Sequence, residues 1–188
     1  MARLNSNGSS ITDLVGVIPA SSFDGENRVW PFPELGAETF KAGEMVCLSG
    51  STANAVGITI PGTDASGYGI IGFAADNATG SISSFKGVHI ATPDVVFMAN
   101  VGHSVTSAGA QTAATDLGQL YGLTSLSGRT YVDKQKTGTS NVACRVIGFS
   151  DTDAVPTFYG KVKFVVLAPK IQLNNSMWLT SSPLGMAV

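Results

Sequence analysis

Hydrophobic positions along this chain come in short runs, and turn residues close almost every one. Met45-Val46-Cys47-Leu48 lies between Gly43-Glu44 and Ser49-Gly50, and Val56 to Ile60 stops at Pro61-Gly62. Gly69 to Ala75, Gly87 to Ile90, Val95 to Val101, Thr130 to Val132, Val142 to Phe149 and Phe158 to Leu167 continue the series. Such runs, recurring roughly every ten residues with turn chemistry between them, predict an all-β fold, an antiparallel β-sandwich or β-barrel. The clearest alternation is in the last run. Val162, Phe164 and Val166 share one face and Lys161 and Lys163 the other, which predicts a half-buried antiparallel strand. Only Ala113 to Leu123 predicts a helix, with Asp116 as its cap and Gln119 three residues on. Gly118 and Gly122 hold that one short helix to a turn or two.

Two of these runs echo each other. Gly69-Ile70-Ile71-Gly72-Phe73-Ala74-Ala75-Asp76 and Arg145-Val146-Ile147-Gly148-Phe149-Ser150-Asp151 both read aliphatic-Ile-Gly-Phe, then small residues and an acid. β-Branched residues ahead of a glycine favour a strand that bends there. A spacing of about eighty residues exceeds any common solenoid period. The echo therefore predicts two related strands of one β-structure, not a repeat array.

The ends differ from the body. Residues 1–35 carry a short apolar patch at Leu14 to Ile18 and then Val29-Trp30-Pro31-Phe32-Pro33. Two prolines flanking Phe32 enforce extended backbone, with Trp30 and Phe32 on one side. This predicts an extended N-terminal arm over 1–35, a β-domain over 36–168 and a C-terminal arm over 169–188. The last holds Met177, Trp178, Leu179, Leu184 and Met186, whereas a solvated tail would be polar. Trp30, Phe32, Met177, Trp178 and Leu179 are the candidate subunit-contact residues.

Composition sharpens the picture. Charged residues make up 13% of the 188 and the net charge is −2, too few charges for a typical fully solvated surface. Gly, Ser, Thr, Ala and Asn take their place, which suits a subunit covered by neighbours. No basic run marks a nucleic-acid footprint, and no apolar run reaches transmembrane length. Neither nucleic acid nor membrane is expected as a direct partner. Met1 to Asp13 lack the charged-then-apolar plan of a signal peptide, so synthesis in a cytoplasm is expected. Cys47 and Cys144 each sit in an apolar run, where a free buried thiol is the default.

Catalytic signals are weak. Gly67-Tyr68-Gly69-Ile70-Ile71-Gly72 fits G-x-G-x-x-G, with Asp94 about twenty residues on. A dinucleotide turn needs a strand before it and a helix opening from it, and Phe73-Ala74-Ala75-Asp76-Asn77 starts no such helix. His89 and His103 have no third ligand at zinc spacing. Asp151, Asp153 and Asp76 could offer oxygens to calcium, but the twelve-residue loop pattern is missing and acidic turns serve the backbone alone. The reading is non-enzymatic, with no cofactor and no metal.

Several stretches together resemble tailed-bacteriophage head-decoration (capsid cement) proteins and virion structural proteins. They are Phe40-Lys41-Ala42-Gly43-Glu44-Met45-Val46-Cys47-Leu48, Gly72-Phe73-Ala74, the Val95 to Val101 strand and Asp116-Leu117-Gly118-Gln119-Leu120-Tyr121-Gly122-Leu123 leading into Arg129-Thr130-Tyr131-Val132-Asp133. Arg145 to Phe149 and Val162 to Leu167 close the pattern, which covers roughly residues 36–168. The resemblance implies a β-rich domain on the capsid exterior of a virion, bridging subunits of the major capsid protein and paired with copies of itself as a trimer or dimer. A tail or fibre component binding a receptor or carbohydrate is the alternative; it needs an aromatic platform, which the Tyr68, Tyr121, Tyr131 and Tyr159 loops could supply.

Overall fold

The computed structural model describes residues 16–22, 29–52, 55–61, 69–82, 84–103, 106 and 108–173. The chain is all-β, as the short apolar runs predict. The strands are β1 (Ile18–Ser22), β2 (Val29–Pro33), β3 (Met45–Thr52), β4 (Ala55–Thr59), β5 (Gly72–Ala74) and β6 (Phe85–Ile90). They continue with β7 (Val95–Gly102), β8 (Leu120–Leu126), β9 (Arg129–Asp133), β10 (Cys144–Phe149) and β11 (Lys161–Val166). Burial along β11 alternates strictly, with Val162, Phe164 and Val166 inside.

The helix expected over Ala113 to Leu123 is replaced by one 3-10 turn, Ala114–Asp116, and then β8. Asp116 does not cap a helix; its carboxylate accepts the Ala113 N–H at 2.8 Å. Gly118 stands at φ 82°, which breaks the helical path, and its N–H bonds the Val146 carbonyl of β10. A sheet partner outcompetes local helix propensity here.

The strands form two rings. One sheet runs β2-β6-β5-β3-β4 and curls until Glu34, just past β2, makes a parallel bridge to Ile58 of β4. The other runs β7-β11-β10-β8-β9 and closes as a barrel through a parallel β7–β9 pairing, Val101 opposite Val132. Replacing each strand of the first ring by the strand five places later yields the second ring's order. The register agrees as well. Ala74 opposite Val88 opposite Trp30 matches Val146 opposite Phe164 opposite Phe97. Val46 opposite Gly72 matches Tyr121 opposite Cys144, and Leu48 opposite Ile58 matches Leu123 opposite Val132. With the closing bridges included, one register holds around both rings, so the chain is a tandem of one five-strand plan. Gly43 and Gly118 are a matching pair too, both at φ 82° before the second strand of their ring.

The Ile-Gly-Phe echo thus lies on corresponding strands, β5 and β10, but out of register. The pairing sets Gly72 against Cys144 and Phe73 against Arg145, not against Gly148 and Phe149.

The rings dock through the outer side of β3 and β5. Met45 and Phe73, a cross-strand pair, are fully buried in the second barrel's core. The Phe73 ring sits 4.7 Å from Phe97 and 6.1 Å from Phe164, edge-on to both. The Met45 N–H donates to Thr130 Oγ1 at 2.9 Å. Two straps tie the joint. The Val17 N–H bonds the Gly43 carbonyl of the first ring, then β1 adds to β7 of the second. In return, Ile171 bridges Ile70, and Gln172 places its amide on the backbone of Leu48 in the first ring.

Candidate interaction surface

Trp30 and Phe32 lie in β2, five residues paired with β6. Phe32 packs against the first ring's core with Phe40, Val46 and Ile58. Trp30 is 56% exposed, although its counterpart Phe97 is fully buried beneath Phe73. Met177, Trp178 and Leu179 lie outside the described residues.

The other face of the β2–β6 pair also carries exposed apolar side chains. Val29 stands opposite His89, and Phe85, 66% exposed, stands opposite Pro33. The Gly87 N–H goes to Asp76 Oδ2 and its carbonyl accepts the Ala75 N–H, both away from β2. Pro31, opposite Gly87, therefore occupies a position where β6 asks for no donor. On its other side β2 offers one N–H fewer, and strand addition there is discouraged.

The chemical candidates are absorbed by structure. Asp151 pairs with Lys163 at 2.9 Å, and Asp153 accepts the Lys161 N–H at 2.8 Å. His103 Nδ1 accepts the Thr106 N–H. His89 is half-buried, its Nδ1 has no hydrogen-bond partner, and burial holds its pKa down against the pull of Asp76. Gly72 opens β5, not the helix that a dinucleotide turn requires, while Gly67 and Tyr68 lie outside the described residues. Among the described residues, no group of three His, Cys, Asp or Glu is placed to hold a metal, and no helix is long and apolar enough to cross a membrane. Both cysteines are free and buried; burial pushes the Cys47 thiol up to about 11 and Cys144 higher still.

Two buried polar clusters escaped the sequence reading. Glu34 is 2% exposed and accepts from the Thr79 N–H and hydroxyl and the Ser81 N–H, with Lys86 Nζ 3.6 Å away. Burial pushes its carboxyl up, but the Thr79 donors, the neighbouring backbone and Lys86 outweigh that and hold it below the usual glutamate value. Asp116 accepts from Tyr121 Oη at 2.7 Å and from Lys134 Nζ, which also reaches the Gln111 carbonyl. Burial, and next Asp116, raise the Tyr121 phenol well above its ordinary value. The only sequence signal was an acid beside an apolar run; the cationic partners lie 18 and 52 residues away in the chain. Every acid in these clusters is met by donors, as stable packing requires.

Comparison with protein families, with curated proteins and with solved structures finds no match to this chain.

Proposed function

We propose that this chain is a non-enzymatic virion structural protein that binds an assembled capsid and stabilises it by bridging neighbouring subunits of the major capsid protein. The observation that carries the reading is Trp30, 56% exposed with Val29, Ile82 and Phe85 also out, on a chain with only 13% charged residues. Apolar side chains left out on both faces of the β2–β6 edge of a charge-poor protein mark surface that partners cover. A protein that touches several subunits at once binds the shell and not the free subunit, and so shifts the equilibrium toward the assembled state. Its place is the capsid exterior, after synthesis in the host cytoplasm.

Cosedimentation with assembled shells, set against binding to the free capsid subunit, tests this. Retention on shells with little affinity for free subunits is expected; equal binding to both, or none to shells, overturns it. The second reading, a tail or fibre module for a receptor or carbohydrate, draws support from Trp30, whose exposed indole is a surface a sugar could stack on. Tyr121, Tyr131 and Tyr159 are buried and add nothing to such a platform. Binding on a glycan array would favour it.

A further inference from the structure

The internal joint joins unlike faces. The outer side of β3 and β5 on the first ring, Met45 and Phe73, covers Phe97 of the second. The tandem repeats each face once more and leaves it open. Trp30 is the first ring's counterpart of Phe97 and nothing in the described residues covers it as Phe73 covers Phe97. Leu120 opposite Arg145 is the second ring's counterpart of Met45 opposite Phe73. Leu120 is half-buried, Arg145 is exposed, and Ile147 beyond it is 40% exposed.

We propose that a second copy of this chain docks head to tail, its Leu120 and Arg145 covering Trp30 of the first as Met45 and Phe73 cover Phe97 within one chain. The substitutions fit each other. Where the internal joint sets Phe73 edge-on to Phe97, the joint between copies sets a guanidinium on an indole, a cation–π pair that tolerates exposure before assembly. A bare phenylalanine at position 145 would be an aggregation hazard; arginine keeps the free chain soluble. The contact is between side chains because Pro31 removes a donor from the neighbouring β2 edge. It joins unlike faces, so copies close into a ring or run on as a filament, and it does not set Trp30 of one copy against Trp30 of another. The inference stands on the tandem plan and not on shell binding, so its failure would leave the reading above in place.

Light scattering and sedimentation of the full chain test it. The wild type is expected to self-associate, and Trp30→Ala and Arg145→Glu are each expected to weaken association roughly tenfold or more with thermal unfolding little changed. Mixing Trp30→Cys with Leu120→Cys under mild oxidation is expected to give a disulfide-linked pair containing one of each; Cys47 and Cys144 are buried and stay out of the exchange. A monomeric wild type at high concentration overturns the proposal. So does association untouched by both substitutions, or Trp30→Cys linking to itself in preference to Leu120→Cys.

Discussion

Glu34 shows how one side chain can depart from a shared plan. Its counterpart in the second barrel is Val101, and the counterpart of its partner Lys86 is Val162, both fully buried. The first ring thus carries an ion pair where the second carries two valines. Glutamine there leaves the Lys86 charge unpaired and is one acceptor oxygen short for the Thr79 and Ser81 donors, so Glu34→Gln should lower stability by about 2–4 kcal/mol in urea unfolding. The sign with pH follows from its lowered pKa. The unfolded carboxyl takes its proton at 4.5, before the folded one does, so this contribution is present above 4.5 and is lost as pH falls through the folded value. The variant should lack that part of the acid dependence. Gly43 and Gly118 give a matched pair, since both stand at φ 82°. A Cβ at Gly118 meets open space, so Gly118→Ala should cost only backbone strain, about 1–2 kcal/mol. A Cβ at Gly43 would lie 2.8 Å from Gly16 Cα in the strap ahead of β1, so Gly43→Ala should cost a further ~1–3 kcal/mol by the same measurement.

Among the elements, the straps have no counterpart in a plain barrel. Gln172 Oε1 accepts the Leu48 N–H at 2.7 Å and its Nε2 donates to the Leu48 carbonyl at 3.2 Å, so one side chain stands in for a strand residue beside β3. Gln172→Ala should cost about 1–2 kcal/mol and speed amide exchange at Leu48. Most strands were legible because burial on one face imposes an alternation that sequence displays, as in β11. The start of β8 was not: Ala113, Ala114 and Leu117 have helical propensity, and the tertiary bonds of Gly118 and Gln119 to Val146, with the pairing to β10, tip the segment into the sheet. β2 was read as extended, correctly for its prolines, but its pairing to β6 is long-range and leaves no local mark.

At the scale of the molecule, the two rings should unfold together, because β1 leaves the first ring to pair with the second while Ile171 and Gln172 return. The Phe73, Phe97 and Phe164 cluster is the centre of that joint. Phe73→Ala should cost about 3–5 kcal/mol and split the thermal transition into two. Arg145→Ala, at the corresponding exposed position, should leave the stability of the isolated chain within about 0.5 kcal/mol. Equal losses at both sites would contradict the asymmetry of the joint. Of the surface, the sequence showed scarce charge and a tryptophan beside prolines; that Trp30 stays exposed while Phe32, on the same face two residues on, is packed depends on how far along β2 the first ring's core extends.

Strand content, the buried state of the thiols and the half-buried face of β11 were written in the chain itself, since burial periodicity and turn chemistry act over a few residues. The tandem plan, the register that sets Phe73 against Arg145, the buried Glu34 and Asp116 clusters and the exchange of straps were decided only by tertiary structure. Each depends on pairings between residues far apart in sequence, and a β-ladder constrains the backbone hydrogen bonds of its partners far more than their identities. Two segments can therefore share every pairing of a fold and hardly a residue.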